Sequence, residues 1–152
     1  METIRDLDKE TINGIEKLCK LNHDSAEGYL SAADEMTSDV VADTFRVTSK
    51  ERERQRDQLA TCLGVNHEKI PSGGTALGTA HRWWLDARAA LNGHDDEVVL
   101  IEAARGEKAI EDEYEDVLIK TAGSPLNELL QRHLESIKSS RRRLERLKEM
   151  NA

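Results

Sequence analysis

Three glutamates and one arginine stand where a helical bundle would turn side chains inward. Glu107 lies four residues after Ala103 and three before Ile110; Glu27 follows His23 by four and precedes Leu30 by three; Arg141 follows Ile137 by four and precedes Leu144 by three. Glu53 sits within "TSKERERQRDQ", residues 48 to 58, a run without an aliphatic or aromatic side chain between apolar flanks. Arg, Glu, Gln and Lys are good helix formers, so the run reads as the middle of a helix whose buried stripe is polar. Two chemistries suit such residues. Carboxylates projecting from several helices can hold a pair of hard metal ions. The same carboxylates facing a guanidinium make a buried salt-bridge layer.

The composition of the layer favours the second. Carboxylate di-metal bundles carry Glu-x-x-His on two helices, whereas His23, His67, His81, His94 and His133 all lack a Glu three residues earlier. Arg141 cannot ligate a metal and stays charged. Counted from residue 123, Glu107 is sixteen residues before and Arg141 eighteen after, which sets them within about 3 Å along the bundle axis. The expected layer is therefore Glu27, Glu53, Glu107 and Arg141, with no cofactor. The alternative is iron or manganese on Glu27, Glu53, Glu107 and Glu135, with oxidase or metal-storage activity. On a flank, the same long side chains would merely cover apolar surface with their stems.

Other signals are less specific. "HRWW" at 81 to 84 offers His81 and Trp83 as a contact for a partner, since Trp is enriched at binding hot spots. Trp84 shares a helix face with Leu77, His81 and Leu91 and is expected to pack inward. His81 and Asp86 have no nucleophile at a telling spacing. "IKSSRRRLERLKE" is a basic run that a solvated terminal helix explains. "SGG" at 72 to 74 lacks the Gly-Lys-Ser/Thr of a phosphate loop. Cys19 and Cys62 form no Cys-x-x-Cys pair and read as small buried hydrophobes.

Four long helices must position these residues. The 3-4 spacing predicts helices over 8–36, 39–63, 95–121 and 125–150, with a shorter one over 75–91. Asp8, Ser38 or Asp39, Asp95 and Ser124 are fitting caps, Pro125 suits a first helical position, and Gly64 an end. Residues 64 to 74 read as the longest loop. Short connections within two hairpins and one long crossover between them are the connectivity of ferritin-like bundles. The 152 residues make one domain, 1–152. With 3% aromatic and 34% charged residues, a β-sandwich is disfavoured. A net charge of −8 disfavours nucleic-acid and membrane partners. No apolar run approaches the roughly 20 residues of a membrane span. The N-terminal stretch lacks the apolar core of a secretory signal, so the expected location is the cytoplasm.

Four runs, "EGYLSAADEM" (27–36), "ERQRDQL" (53–59), "GTALGTAHRWWLDARAAL" (74–91) and "RGEKAIEDEYEDVL" (105–118), resemble an uncharacterised bacterial family of four-helix-bundle, ferritin-like domains of unknown function. The most specific parts are Gly78, His81, Arg82 and Trp84 in the crossover, and Arg105, Gly106 and Glu107. The resemblance implies the fold and no reaction. It implies a histidine near position 141 in relatives, where this chain has Arg141, a departure that speaks against a metal role here. The function expected from the sequence is a non-enzymatic cytoplasmic bundle, stress-related, acting through association with itself or a protein partner.

Overall fold

A computed structural model describes residues 2–74 and 95–150. The element order is α1 (Lys9–Ala33), α2 (Asp39–Val65), α3 (Asp96–Lys120) and α4 (Asn127–Met150). Among the described residues there is no strand beyond an isolated bridge between Thr3 and Asp6. The helix expected over 75–91, with His81, Trp83 and Trp84, lies outside the described residues.

The helix starts follow their caps. The Asp8 side chain accepts from the Thr11 amide at 2.8 Å, Ser38 from Val41, and Asp95 from Glu97 and Val98. The ends depart from the expected bounds. α1 stops at Ala33 rather than 36. α2 runs through Gly64 to Val65, and the left-handed residue after it is His67, at φ 60°. Helical hydrogen bonding thus continues past a glycine that nothing forces out of the helix. α4 begins at Asn127, not at Pro125, because Ser124 Oγ holds the Leu126 amide in a turn first.

α1 and α2 form one antiparallel hairpin and α3 and α4 another; α1 packs on α3, and α2 on α4. Asp96, at the start of α3, takes the Thr37 and Ser38 amides and the Thr37 hydroxyl at 2.9–3.1 Å, so α3 begins beside the α1–α2 turn. At the other end, Asn66 binds the Leu7 amide (2.9 Å) and the Ile4 carbonyl (2.8 Å), while Ser124 donates to Glu2. The connection from α2 to α3 therefore leads from one end of the bundle to the other. It comes against α1 at Gly74, where an added Cβ would fall 1.5 Å from an Asp24 carboxylate oxygen, so a larger residue would require the Asp24 side chain to move.

The core is apolar at both ends, around Ile15, Leu18, Leu59 and Leu63 and around Val41, Phe45, Val99 and Leu100. Between them the bundle axis is lined with polar groups.

Candidate functional site

The polar middle of α2 is buried through Arg52. Phe45, Arg52 and Leu59 follow one another at intervals of seven and are all 0% exposed, so the guanidinium occupies a core position. Its neighbours on α2 are polar for local reasons. Thr48 donates back to the Thr44 carbonyl at 2.8 Å, and Ser49 donates to the Ala26 carbonyl of α1 at 2.7 Å, tying the hairpin at the layer.

Glu107, also 0% exposed, faces Arg52 across the bundle. One carboxylate oxygen is ion-paired and hydrogen-bonded to Arg52 Nη2; the other accepts from Tyr29 Oη of α1 at 2.7 Å. Arg52 Nη1 donates to Gln55 Oε1 at 2.8 Å. Burial is the largest influence on Arg52 and opposes its charge, but the Glu107 carboxylate, together with Tyr29 and Tyr114, more than offsets it and the pKa is raised. Burial, and then the Glu107 carboxylate, push the Tyr29 phenol well above its usual range, so it stays protonated and donates to Glu107. Both oxygens of the central carboxylate are thus committed to protein groups.

A second polar layer adjoins the first. Asn22 Nδ2 donates to Tyr114 Oη (2.8 Å), Tyr114 Oη meets His133 Nδ1 (2.9 Å), and His133 Nε2 meets Gln58 Oε1 (2.7 Å). With the Gln58 oxygen facing the ring, Nε2 carries the proton and Nδ1 accepts the tyrosine proton. The chain of donors runs Asn22 to Tyr114 to His133 to Gln58. A second proton on His133 would take the acceptor Tyr114 uses. Burial, with Arg52 and Arg132 nearby, lowers the His133 pKa to about 4.

The structure corrects most of the residues expected here. Glu107 is buried, but its partner is Arg52. Arg141 instead meets Glu111, one turn beyond Glu107 along α3 (Nε–Oε2 2.7 Å), and Glu145 of its own helix (3.2 Å). Matching levels along the axis were correct to about a turn, but level says nothing of azimuth. Adjacent helical residues point about 100° apart. Glu53, next to Arg52, accordingly faces solvent, as do Glu27 and Glu135. Glu27 lies on the outer face of the α1–α2 hairpin, 3.2 Å from His23 Nε2, while Arg56 donates to His23 Nδ1 at 3.1 Å. These and Glu53 line an open surface groove rather than the interior.

A metal held by Glu27, Glu53, Glu107 and Glu135 would need these carboxylates to converge, and they do not. Among the described residues no group of three or more His, Cys, Asp or Glu side chains is placed to hold a metal ion. Arg52, Tyr29, Gln55 and the Asn22–Tyr114–His133–Gln58 chain escaped the sequence reading. The signal for Arg52 was its interval of seven from Phe45 and Leu59. Cys19 and Cys62 are buried and free. No helix among the described residues is long and apolar enough to cross a membrane.

The model of a family described as a domain of unknown function (DUF2383) matches residues 10–120. That span holds Tyr29, Arg52 and Glu107 and stops before α4 with His133 and Arg141. No curated protein and no solved structure matches the chain.

Proposed function

We propose that this chain, which belongs to the DUF2383 family, is a non-enzymatic cytoplasmic bundle of ferritin-like connectivity. Its interior is a charge-compensated structural layer, and it works through its surface by association with itself or with a protein partner. One observation carries the reading: the central carboxylate, Glu107, has one oxygen on Arg52 and the other on Tyr29, all fully buried. A guanidinium supplies inside the bundle the positive charge that a metal ion supplies in carboxylate di-metal bundles. The long crossover connection supports the ferritin-like topology.

No reacting group is left over in the layer. Tyr29 and Tyr114 are held protonated by burial, His133 is held neutral, and each is engaged within the network. The test is elemental analysis of protein purified after growth with added iron and manganese. The expected result is metal well below one equivalent in the wild type and in Glu107→Gln alike. Stoichiometric metal that Glu107→Gln abolishes would overturn the reading in favour of an iron or manganese protein.

A further inference from the structure

Where α4 meets α2, the bundle has a seam marked by the hydrogen bond of His133 to Gln58 and the ion pair of Arg143 with Glu51 at 3.2 Å. On α2, Val40, Val47 and Arg54 follow this seam at intervals of seven, Arg54 lying between Glu51 and Gln58. On α4, Arg146 and Met150 stand three and seven residues after Arg143. Val40, Val47 and Met150 are 60%, 52% and 77% exposed. Arg54 and Arg146 are exposed, and among the described residues neither has an ion-pair partner. The acidic side chains beside the seam are ion-paired, Glu51 with Arg143 and Asp43, between Val40 and Val47, with Arg46. This is a basic, partly apolar face on a molecule of net charge −8. The neighbouring helix α3 has the opposite character, with nine acidic and three basic residues over 96–120.

We infer that the α2–α4 seam is a docking face for an acidic amphipathic helix of another protein. The inference rests on the associative reading above. A helix laid along the seam would cover Val40, Val47 and Met150 with its apolar stripe and present carboxylates to Arg54 and Arg146. The sign of the face selects among occupants. A second copy docked by a two-fold axis would set one basic face against another, and like charges repel. A bilayer or a nucleic-acid duplex is a broad anionic surface that also meets the acidic remainder of the molecule. A single helix is about 10 Å wide, close to the screening length of about 8–10 Å, and feels chiefly the seam.

The probe is a synthetic, fluorescently labelled amphipathic helix of leucine and glutamate, titrated with wild-type protein and followed by anisotropy. Binding is expected, weakening as salt rises. Arg54→Glu with Arg146→Glu should raise the Kd at least about tenfold. Lys9→Glu with Lys20→Glu on α1 makes the same charge change off the seam and should leave the Kd within about twofold. Circular dichroism checks that each variant is folded. Equal weakening by both pairs would overturn the inference, as would wild-type binding to phosphatidylserine vesicles or duplex DNA as tight as to the peptide. Absence of peptide binding would also overturn it. Wild-type self-association in sedimentation, unaffected by the seam variants, would then leave the associative reading standing; no association of either kind would remove both.

Discussion

Two clusters in this bundle use the same side-chain types and are worth very different amounts. Inside, Glu107 and Arg52 face each other with no exposed surface. Outside, on the α1–α2 hairpin, Glu27 and Arg56 flank His23 with the Glu27 side chain 72% exposed. Glu53, one residue from Arg52, belongs to the outer cluster. Removing a partner inside strands a charge away from water, whereas water replaces a lost partner outside. The chemistry of a carboxylate and a guanidinium is therefore set by azimuth on the helix, not by sequence position along it.

The sharpest way to break the comparison is to remove one interior charge. Arg52→Leu should cost about 3–5 kcal/mol in urea unfolding, and Glu107→Leu a similar amount. A loss under about 1 kcal/mol would place the pair in contact with water and erase the contrast.

Acid should act on the interior through His133, which is 3% exposed. Its folded pKa lies at about 4, below the ordinary value of 6.5. The folded state therefore binds this proton later than the unfolded chain. The stability His133 confers is complete above about pH 6.5, falls as pH drops toward 4, and by then has lost on the order of 3 kcal/mol. His133→Gln should flatten this part of the stability–pH curve; an unchanged slope would show His133 to be solvated.

Tyr29→Phe leaves one Glu107 oxygen buried without its donor and should cost about 2 kcal/mol. The smallest effect belongs to the outer cluster. Glu27→Gln with Glu53→Gln should change stability by no more than about 0.5 kcal/mol. A loss comparable to that of Tyr29→Phe would mean the outer groove is structurally coupled to the core.

Much of the fold could be read from spacing and caps. Asp8, Ser38 and Asp95 cap the helices where expected because the capping preference is local and chemical. The expectation of a connection spanning the bundle agrees with Asp96 beside Thr37 at one end and Asn66 beside Leu7 at the other. Breakers were poorer guides, since Gly64 is tolerated inside α2 and Pro125 stands two residues before α4. The polar layer was legible as a layer but not as a set of partners. Counting residues from a turn gives height, and Glu107 with Arg141 agree in height to about a turn. The azimuth that selects Arg52 over Glu53 appears only when polar residues are admitted to the heptad with Phe45 and Leu59. An arginine fully inside a core is rare, and the inward arginine was expected on the last helix, at Arg141, rather than at Arg52.

The central claim is that Glu107 and Arg52 serve each other. The direct measurement is a double-mutant cycle in urea on Arg52→Leu, Glu107→Leu and the two together. If each charge is retained to compensate the other, the double variant recovers most of the loss of about 3–5 kcal/mol seen in either single, because no buried charge is left alone. If instead the two losses simply add, the residues act independently and the charge-compensated interior is wrong.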